Sequence, residues 1–382
     1  MKERAGKYVK QPAGYSAFIP NPLPPNPPIQ FDDELHLLLS EADRSLARLD
    51  GIATVLPNPE LFIGMYVKKE ALLSSQIEGT QASLEGVLEF EADLTPKDNI
   101  DDVKEVVNYI KALNYGIAKL NELPMSLRLI KEIHKVLVEG TRGSNKTPGE
   151  FRKTQNWIGL RGASLNEATF VPPPPDIVLA NMGDLEKVLY EHENIPQLVK
   201  IALIHAQFET IHPFLDGNGR VGRLLITFYL FCKKILSRPV LYLSFYLKKH
   251  RNEYYDLLMK VRTDGLWEDW IKFFLKGVIE TSVESAKTAK EIIVLKDRLI
   301  EELYRNSISS IYAVKLVSFL FEMPVIDTKT VEEKFNIHKD TANELVNRFE
   351  QIGILKEITG KQRYKKYLFK EYVDIIKRGT EL

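Results

Sequence analysis

The sequence predicts a mostly α-helical protein with one β-hairpin and a small C-terminal module of three helices and a second hairpin. Apolar residues recur at helical spacing through most of the 382 residues. Glycines and prolines cluster in 141–175, where two short β-prone runs stand out instead. A chain of this length has room for two or three domains with their own cores.

Composition limits the location and the partners of the chain. The 52 basic and 52 acidic residues balance, so net charge does not indicate binding to nucleic acid or to a membrane surface. No apolar run approaches the roughly 20 residues of a membrane helix, and the N-terminus lacks the apolar segment of a signal peptide. The single cysteine, Cys232, cannot form an internal disulfide. These features predict a cytoplasmic protein without membrane contact.

The N-terminal third is predicted to be an extended arm followed by helices. Residues 1–30 are rich in proline, which favours polyproline II and predicts an arm on the surface. An apolar stripe then predicts a helix at 32–50, with Asp32 or Asp33 as its cap. Further helical patterns follow at about 60–78 and across 84–122, the latter broken at Thr95-Pro96.

The end of the helix at 60–78 contains an unusual carboxylate. Gly79 is a plausible stop for this helix. Glu78 therefore lies near the helix C-terminus, where a negative charge opposes the helix dipole. Taken alone, Glu78 would be interpreted as a solvated surface residue.

A helix at 125–139 precedes the non-helical stretch, and its His134 is expected to pack or to cap. Within 141–175, the runs 151–158 and 168–171 predict a hairpin. Four consecutive prolines end the second strand and should leave it at an edge of the sheet.

The run 212–223, which reads HPFLDGNGRVGR, is the centre of the chain. An apolar helical pattern leads into it, and Pro213 makes continuation of that helix unfavourable. The glycine-rich part, 217–219, tolerates positive φ and can turn its N–H groups inward as an anion nest. A second apolar helix starts at once, so the nest lies at a helix N-terminus, which favours phosphate. Arg220 and Arg223 share one face of its first turn.

Two further residues of this run suit a reaction at phosphorus. Asp216 offers a hard oxygen ligand for Mg²⁺. His212 titrates near neutral pH and can act as a general base. The alternative interpretation is a helix–turn–helix corner with a solvated arginine pair.

The run resembles the Fic family signature, HPFx(D/E)GNGRxxR, at every defined position. The resemblance implies transfer of a nucleoside monophosphate, usually AMP from ATP, to a protein hydroxyl. It implies that His212 takes the proton from the hydroxyl and that Asp216 holds Mg²⁺ on the phosphates. It assigns contacts along the phosphate chain to the glycine-rich turn and the two arginines, Gly217, Asn218, Gly219, Arg220 and Arg223.

The same resemblance gives Glu78 a role. Residues 74–79 fit the pattern (S/T)xxxE(G/N) of Fic proteins that carry an N-terminal inhibitory helix, with Ser74 and Glu78 at its defined positions. By analogy, Glu78 would form a bidentate pair with Arg223 in the place of the γ-phosphate. The resting protein is then expected to be autoinhibited.

Two more features are implied by the family. The hairpin would be the Fic flap, whose strand at Thr169, Phe170 and Val171 holds a target segment by main-chain pairing. The segment 251–255 resembles the stretch in which a tyrosine meets the nucleoside. Tyr255 is the first choice for this contact and Tyr254 the second.

The C-terminal part, 307–382, is predicted to be a winged-helix-like domain of three helices and a hairpin at 354–358 and 363–369. Basic residues only slightly outnumber acidic ones there, which is a weak footprint for a DNA-binding module. The hairpin itself is basic. DNA binding, protein interaction and dimerisation therefore all remain open for this domain.

The predicted organisation has four parts. An N-terminal arm and helical region with the inhibitory helix (about 60–79) covers 1–122, and the Fic-type helical core with its β-hairpin flap covers 123–276. A connector helix at 277–306 leads to the winged-helix-like domain at 307–382.

The predicted function is protein adenylylation: AMP moves from ATP to a Ser, Thr or Tyr hydroxyl of another protein or of the chain itself, assisted by Mg²⁺. Kinase-type relatives replace the glycines of GNGR and lack the second arginine, so the sequence argues against them. Removal of AMP from a modified target stays open, because Glu78 could orient a water. A nucleotide-sensing winged-helix regulator is the alternative from another class, and a homodimer is compatible with the sequence.

Overall fold

The computed structural model describes residues 3–55, 59–159, 162, 164–308 and 310–381, without the side chains of 55 and 59–62. The fold is mostly helical, as predicted. Its helices, in chain order, are α1 Asp33–Val55, α2 Pro59–Ile77, α3 Leu84–Glu91, α4 Ile100–Leu120, α5 Leu127–Val138, α6 Pro175–Tyr190, α7 Gln197–Ile211, α8 Asn218–Cys232, α9 Ser244–Lys249, α10 Arg251–Asp264, α11 Trp267–Arg305, α12 Ile311–Glu322, α13 Thr328–Phe335, α14 Lys339–Gln351 and α15 Lys370–Ile376. The strands are β1 Gly6–Lys10, β2 Ser16–Pro20, β3 Val325–Ile326, β4 Lys356–Glu357 and β5 Tyr367–Leu368.

Helix α7 lies at the centre of the core. All its residues from 198 to 211 are buried, because α6, α8, α10 and α11 pack around it. Helix α2 packs against α4, α9 and α12 on another side of the core. None of the helices in the described residues is long and apolar enough to cross a membrane.

The N-terminal arm begins with a β-hairpin, whose strand pairing was not predicted from the proline-rich sequence. Strands β1 and β2 pair antiparallel, with Gly6 opposite Pro20. Their sequences, GKYVK and SAFIP, contain aromatic and β-branched residues that favour strands. The proline-dense part begins only after β2, where Arg4 donates to the carbonyl oxygens of Pro27 and Pro28 at 2.7 and 2.8 Å.

Helix α11 runs without a break for 39 residues, so the connector predicted at 277–306 is not a separate element. The sequence placed the boundary between the core and the connector at Gly277. This glycine instead allows the ring of Tyr246 to lie close to the backbone of α11. A Cβ atom at Gly277 would lie 2.7 Å from Cδ1 of Tyr246. Helix α11 packs along α1 as well as along α12 and α15, and therefore joins the core to the C-terminal module.

Among the residues of the predicted flap that the structure describes, the hairpin pairing consists of an antiparallel bridge between Ile158 and Phe170. The second strand is not an edge, because the backbone N–H of Phe18 in β2 donates to the carbonyl of Val171 at 2.9 Å. The four prolines, which have no backbone N–H to donate, begin only at residue 172 and so do not interrupt this contact. The N-terminal hairpin thus covers the side of the flap that the sequence left open.

The C-terminal module contains the three predicted helices, α12 to α14, in the expected order. Its sheet has the order β3–β5–β4, with β4 and β5 forming the predicted hairpin in shorter form. Strand β3 and helix α15 were not predicted. Both α12 and α15 pack against α2, which places the module on the helix that ends beside Glu78.

Gln76 links the last turn of α2 to this module. Its amide nitrogen donates to the carbonyls of Ala82 and Thr380 at 3.1 and 3.0 Å. Its amide oxygen accepts from Nζ of Lys248 at 2.7 Å. Gln76 is buried, so these bonds lie in a region where an unpaired polar group is costly.

Replacing Gln76 should loosen the contact between α2 and residues 377–381. We expect Gln76→Ala to lower the free energy of unfolding by about 1–3 kcal/mol, because two buried carbonyls lose their donor. Urea unfolding measures the stability, and hydrogen exchange of the amides at 377–381 locates the effect. Gln351→Ala, at an exposed position of α14, is the matched control. Equal exchange in both variants would contradict this coupling.

Candidate active site

The loop between α7 and α8 forms a sharp corner at His212. His212 adopts a left-handed conformation with φ of 49°, and Pro213 prevents the helix from continuing. The side chain of Asn218 closes the corner, because its Oδ1 accepts from Phe214 N and its Nδ2 donates to Phe214 O, both at 2.8 Å. Asn218 therefore holds the loop with its side chain, and only its backbone is left to face a phosphate.

The glycine-rich turn is simpler than the sequence suggested. Only Gly217 has a positive φ, 76°, and α8 begins directly at Asn218. The first N–H groups of α8 have no partner within the helix, which leaves donors at its positive end. This geometry suits an anion.

His134 buttresses the same loop. Its Nδ1 accepts from the N–H of Gly149 at 2.9 Å, so Nε2 carries the proton and donates to the carbonyl of Asp216 at 3.0 Å. Its ring stacks on Phe214 with centroids 3.8 Å apart. Burial lowers the pKa of His134 to about 4, which keeps the ring neutral in this packing role.

The imidazole of His212 is also held neutral. Desolvation by the surrounding protein, followed by the positive charges of Arg262 and Arg152, lowers the pKa of His212 to about 3. Its Nδ1 is buried. The ring is half-buried, so its other nitrogen is the one nearer to solvent.

Arg223 projects from the second turn of α8 towards α2. Its Nε donates to Oγ of Ser74 at 2.8 Å, and its Nη2 donates to the carbonyl of Ser74 at 2.9 Å. The same Nη2 lies 2.8 Å from Oε1 of Glu78. The structure therefore brings Ser74, Glu78 and Arg223 together, although one guanidinium nitrogen carries the ion pair and the expected bidentate geometry is wrong.

The carboxylate of Glu78 lies inside the turn as well as beside Arg223. A Cβ atom at Gly219 would lie 2.1 Å from Oε1 of Glu78, so only glycine leaves room for it. Arg223 is buried, while the Glu78 side chain keeps 33% of its exposure. Desolvation acts to raise the pKa of Glu78, but Arg223, with Arg220 and His212, outweighs it, and the net pKa is lowered. The carboxylate is therefore charged at neutral pH.

Arg220 has a buried partner that the sequence did not reveal. Its Nη1 lies 3.5 Å from Oε2 of Glu105 on α4, and its Nη2 lies 3.7 Å from Oδ1 of Asp216. Glu105 also accepts from Arg142 and from the hydroxyl of Thr80, two residues after Glu78. Nε of Arg220 is buried without a partner among the described residues, which leaves it a free donor.

Asp216 is the residue with the chemistry to hold Mg²⁺. One oxygen accepts from the N–H of Gly217 at 2.7 Å, and the side chain is half-buried at the mouth of the turn. The described residues contain no group of three or more His, Cys, Asp or Glu side chains that could hold a metal ion. A single carboxylate beside an anion site fits Mg²⁺, which commonly uses one or two carboxylates together with phosphate oxygens.

The two candidate tyrosines differ in accessibility. Tyr254 is buried, and its hydroxyl lies 2.9 Å from Nε2 of His205. Tyr255 keeps 38% of its exposure, and the guanidinium of Arg251 lies 5.6 Å from its ring centroid. Tyr255 is thus the ring that a ligand could reach, and its contact with a nucleoside stays a prediction.

The three predicted flap residues are also unequal. Phe170 and Val171 are buried, and the guanidinium carbon of Arg262 lies 4.0 Å from the centroid of the Phe170 ring. Thr169 alone is not buried. The side chains of Phe170 and Val171 therefore hold the flap to the core, and the holding of a target strand stays a prediction.

Sequence reasoning missed the buried charges behind the site: Glu105, Arg152, Glu209 and Arg262. Burial is the main cause that raises the pKa of Glu209 to about 7. Arg152 lies within the run 151–158 that predicted the flap, and Glu209 lies three residues before His212 of the signature. Nothing local marks Glu105 or Arg262, since both lie on ordinary amphipathic helices.

Comparison with known proteins agrees with this geometry. The family model described as "Fic/DOC family N-terminal" matches residues 36–118, and the "Fic/DOC family" model matches residues 124–230. A probable protein adenylyltransferase of Aquifex aeolicus (strain VF5) is 31% identical over 173 residues, which cover 44% of this chain and 48% of that protein. The protein adenylyltransferase Fic of Drosophila grimshawi is 31% identical over 220 residues, covering 54% and 41%. The matched region is thus less than half the length of either relative.

Solved structures share the fold. A Fic family protein from Desulfovibrio desulfuricans G20 superposes with a TM-score of 0.58 at 18% identity, covering 89% of this chain and 97% of that one. A Fic domain containing signaling protein from Bacteroides thetaiotaomicron VPI-5482 gives 0.53 at 17% identity, covering 66% and 97%. The helical architecture, the signature at 212–223 and the two family models lead to one conclusion: the chain belongs to the Fic/DOC family.

Proposed function

We propose that this protein is a protein adenylyltransferase that transfers AMP from ATP to a protein hydroxyl, and that Glu78 inhibits it in the resting state. The observation that carries the proposal is the position of the Glu78 carboxylate. It lies against Gly219 at the N-terminus of α8 and on Arg223, where the phosphates of a nucleotide would bind. The relatives named adenylyltransferases support the same reaction class.

The reaction needs positioning and charge stabilisation more than covalent chemistry from the protein. The first-turn N–H groups of α8, with Arg220 and Arg223, would hold the phosphate chain and stabilise the developing negative charge. The target hydroxyl attacks the α-phosphorus, a new P–O bond forms, and the bond to the departing pyrophosphate breaks. His212 takes the hydroxyl proton, and Nε2 is the atom that fits this role because Nδ1 is buried.

Asp216 would hold Mg²⁺ at the phosphates. When bound, the ion would neutralise charge on the departing pyrophosphate. Asp216 lies next to Gly217 and within reach of Arg220, so the carboxylate also orients that arginine.

Inhibition follows from competition for the same positive groups. ATP cannot place phosphate on Arg223 and over Gly219 while the Glu78 carboxylate is there. Ser74 holds Arg223 through both its hydroxyl and its carbonyl, so the guanidinium stays in place when Glu78 leaves. The inhibited and active states would therefore differ mainly in the position of Glu78.

The target and the role of the C-terminal module are not defined by this site. In the module, Arg348 pairs with Glu344 at 2.6 Å and Lys366 pairs with Asp327 at 3.2 Å, which reduces the positive charge that these two residues could offer to DNA. A protein substrate, including a second copy of the chain, fits the chemistry of the site better.

Removing the Glu78 side chain should activate AMP transfer. We expect Glu78→Gly to raise incorporation from ATP labelled at the α-phosphate by roughly tenfold or more, the effect of about 1.4 kcal/mol of lost inhibition. The purified chain is assayed with Mg²⁺, alone and with cell lysate. Adding His212→Ala should abolish the label, and Glu122→Gly, at an exposed turn after α4, should behave like the wild type.

Each other outcome of this assay has a defined meaning. Equal labelling by wild type and Glu78→Gly would show that Glu78 does not inhibit. No label in any form, together with release of AMP from a modified protein, would replace transfer by AMP removal, with Glu78 orienting a water. ATP binding without either reaction would favour the nucleotide-sensing regulator.

Ser74→Ala should test the support of Arg223 separately. This change removes the acceptor of Arg223 Nε but keeps the carbonyl contact and the Glu78 pair. In the Glu78→Gly background we expect transfer to fall a few-fold, as for one lost hydrogen bond to a charged group. Ser75→Ala, its buried neighbour, is the matched control. An equal fall in both variants would assign the effect to packing.

Metal removal should stop transfer, and Asp216 should set the metal requirement. We expect EDTA to abolish labelling by Glu78→Gly, and Asp216→Asn to raise the Mg²⁺ concentration needed for half-maximal rate by roughly tenfold, because a neutral amide is a weaker ligand. Asp184→Asn, on the surface of α6, serves as the control. An unchanged Mg²⁺ dependence in Asp216→Asn would remove Asp216 from this role.

A further inference from the structure

Helix α7 ends at the reacting histidine, and its last carbonyls need partners because no further helical N–H groups follow. Two buried arginines supply them. Nη2 of Arg262 donates to the carbonyl of Glu209 at 3.1 Å. Arg152 donates from Nη2 to the carbonyl of Ile211 at 3.3 Å and from Nε to the carbonyl of His212 at 2.9 Å.

Both arginines also hold the flap. Nη2 of Arg152 donates to the carbonyl of Pro173 at 2.6 Å, directly after the flap strand. The guanidinium of Arg262 stacks on Phe170 of that strand and donates to the hydroxyl of Thr210 at 3.1 Å. The two side chains therefore join the end of α7 to the flap from different elements.

The hydrogen bonds of Arg152 and Arg262 do not neutralise the positive charge of the two guanidinium groups. Arg152 and Arg262 are only 2% and 4% exposed, and all their hydrogen-bond acceptors among the described residues are neutral groups. Burying a cation without a hydrogen-bonded carboxylate is costly. The nearby carboxylate of Glu209 favours the charged form of Arg262, but burial has the larger effect. Burial lowers the pKa of each guanidinium to about 10, so both remain charged at neutral pH.

We propose that Arg152 and Arg262 are positioning residues for His212, which fix its backbone and the flap and, by their positive charge, keep its imidazole in the neutral form that accepts a proton. The inference rests on the proposed function, in which His212 is the base.

Groups that favour and groups that oppose protonation act together on the His212 ring. The negative end of the α7 dipole points at His212 and favours a protonated ring. The Glu78 carboxylate, directly after α2, and a hydrogen bond to the backbone of Glu209 act in the same direction. Arg152, at the start of the first run of the flap hairpin, and Arg262 on α10 oppose these effects, and they add to the larger effect of desolvation. Without them, the ring would bind a proton more readily as the pH falls.

The test is a titration of His212 in the full chain by NMR with labelled histidine. The chain has seven histidines, and His212→Ala identifies the resonance. We expect Arg152→Gln and Arg262→Gln each to raise the pKa of His212 by roughly one pH unit, the lower range for one neighbouring charge. Arg152→Lys and Arg262→Lys keep the charge and should leave the titration near that of wild type.

Further variants separate charge from packing. Phe170→Leu removes the ring under Arg262 but no charge, so it should not move the titration. Circular dichroism and urea unfolding show which variants fold, and if a Gln variant does not, the other Gln variant and the Lys variants still decide. An unchanged pKa of His212 in a folded Gln variant overturns the proposal and leaves the arginines a structural role only.

Activity gives an independent readout in the Glu78→Gly background. The acid limb of kcat/KM against pH should move to higher pH in the Gln variants, and below that limb the rate should fall about tenfold for each pH unit by which the limb moves. The Lys variants should keep the position of the limb. If the NMR titration moves but no variant transfers AMP, the proposed function fails while the electrostatic role of the arginines stands.

Discussion

The left-handed corner at His212 is the constraint on which the rest of the site depends. A non-glycine residue in this conformation costs free energy and persists only when its surroundings determine it. Here Pro213 blocks the helical alternative, Asn218 clamps Phe214, and His134 fixes Asp216 from behind. Because the corner is rigid, α7 delivers a histidine and α8 delivers an anion site within one short loop.

Charge then determines what this corner can bind. Arg220 and Arg223 lie near the start of α8, where positive side chains add to the positive end of the helix dipole. Such an arrangement needs an anion, and the chain supplies carboxylates on three sides through Glu78, Glu105 and Asp216. Glu105 is buried beside Arg220, and Asp216 belongs to the loop itself. Glu78 differs from both, because it follows the last residue of α2 and remains partly exposed.

The sequence was sufficient for features that are encoded locally. Helical periodicity located α1 to α5 as well as α7 and α8, and the signature at 212–223 predicted which residues meet at the loop. Long-range contacts were beyond it: pairing of Phe18 with Val171 covers the predicted edge of the flap, and Gly277 makes room for Tyr246 inside one long helix. Arg152 looked like an ordinary polar residue of the predicted flap hairpin, because only the fold shows that its guanidinium is buried among carbonyls.

Helix α2 connects these observations. Its last turn is fixed at Gln76 by the C-terminal module, while Glu78, two residues later, remains partly exposed and is held mainly by Arg223. If an anion and Glu78 compete for Arg223, then by linkage whatever tightens α2 against α8 must weaken nucleotide binding, and bound nucleotide must weaken the hold on α2 to the same extent. The contacts of α12 and α15 with α2 lie on this same helix. The module is therefore placed where a change in its packing would alter the competition without touching the reacting groups.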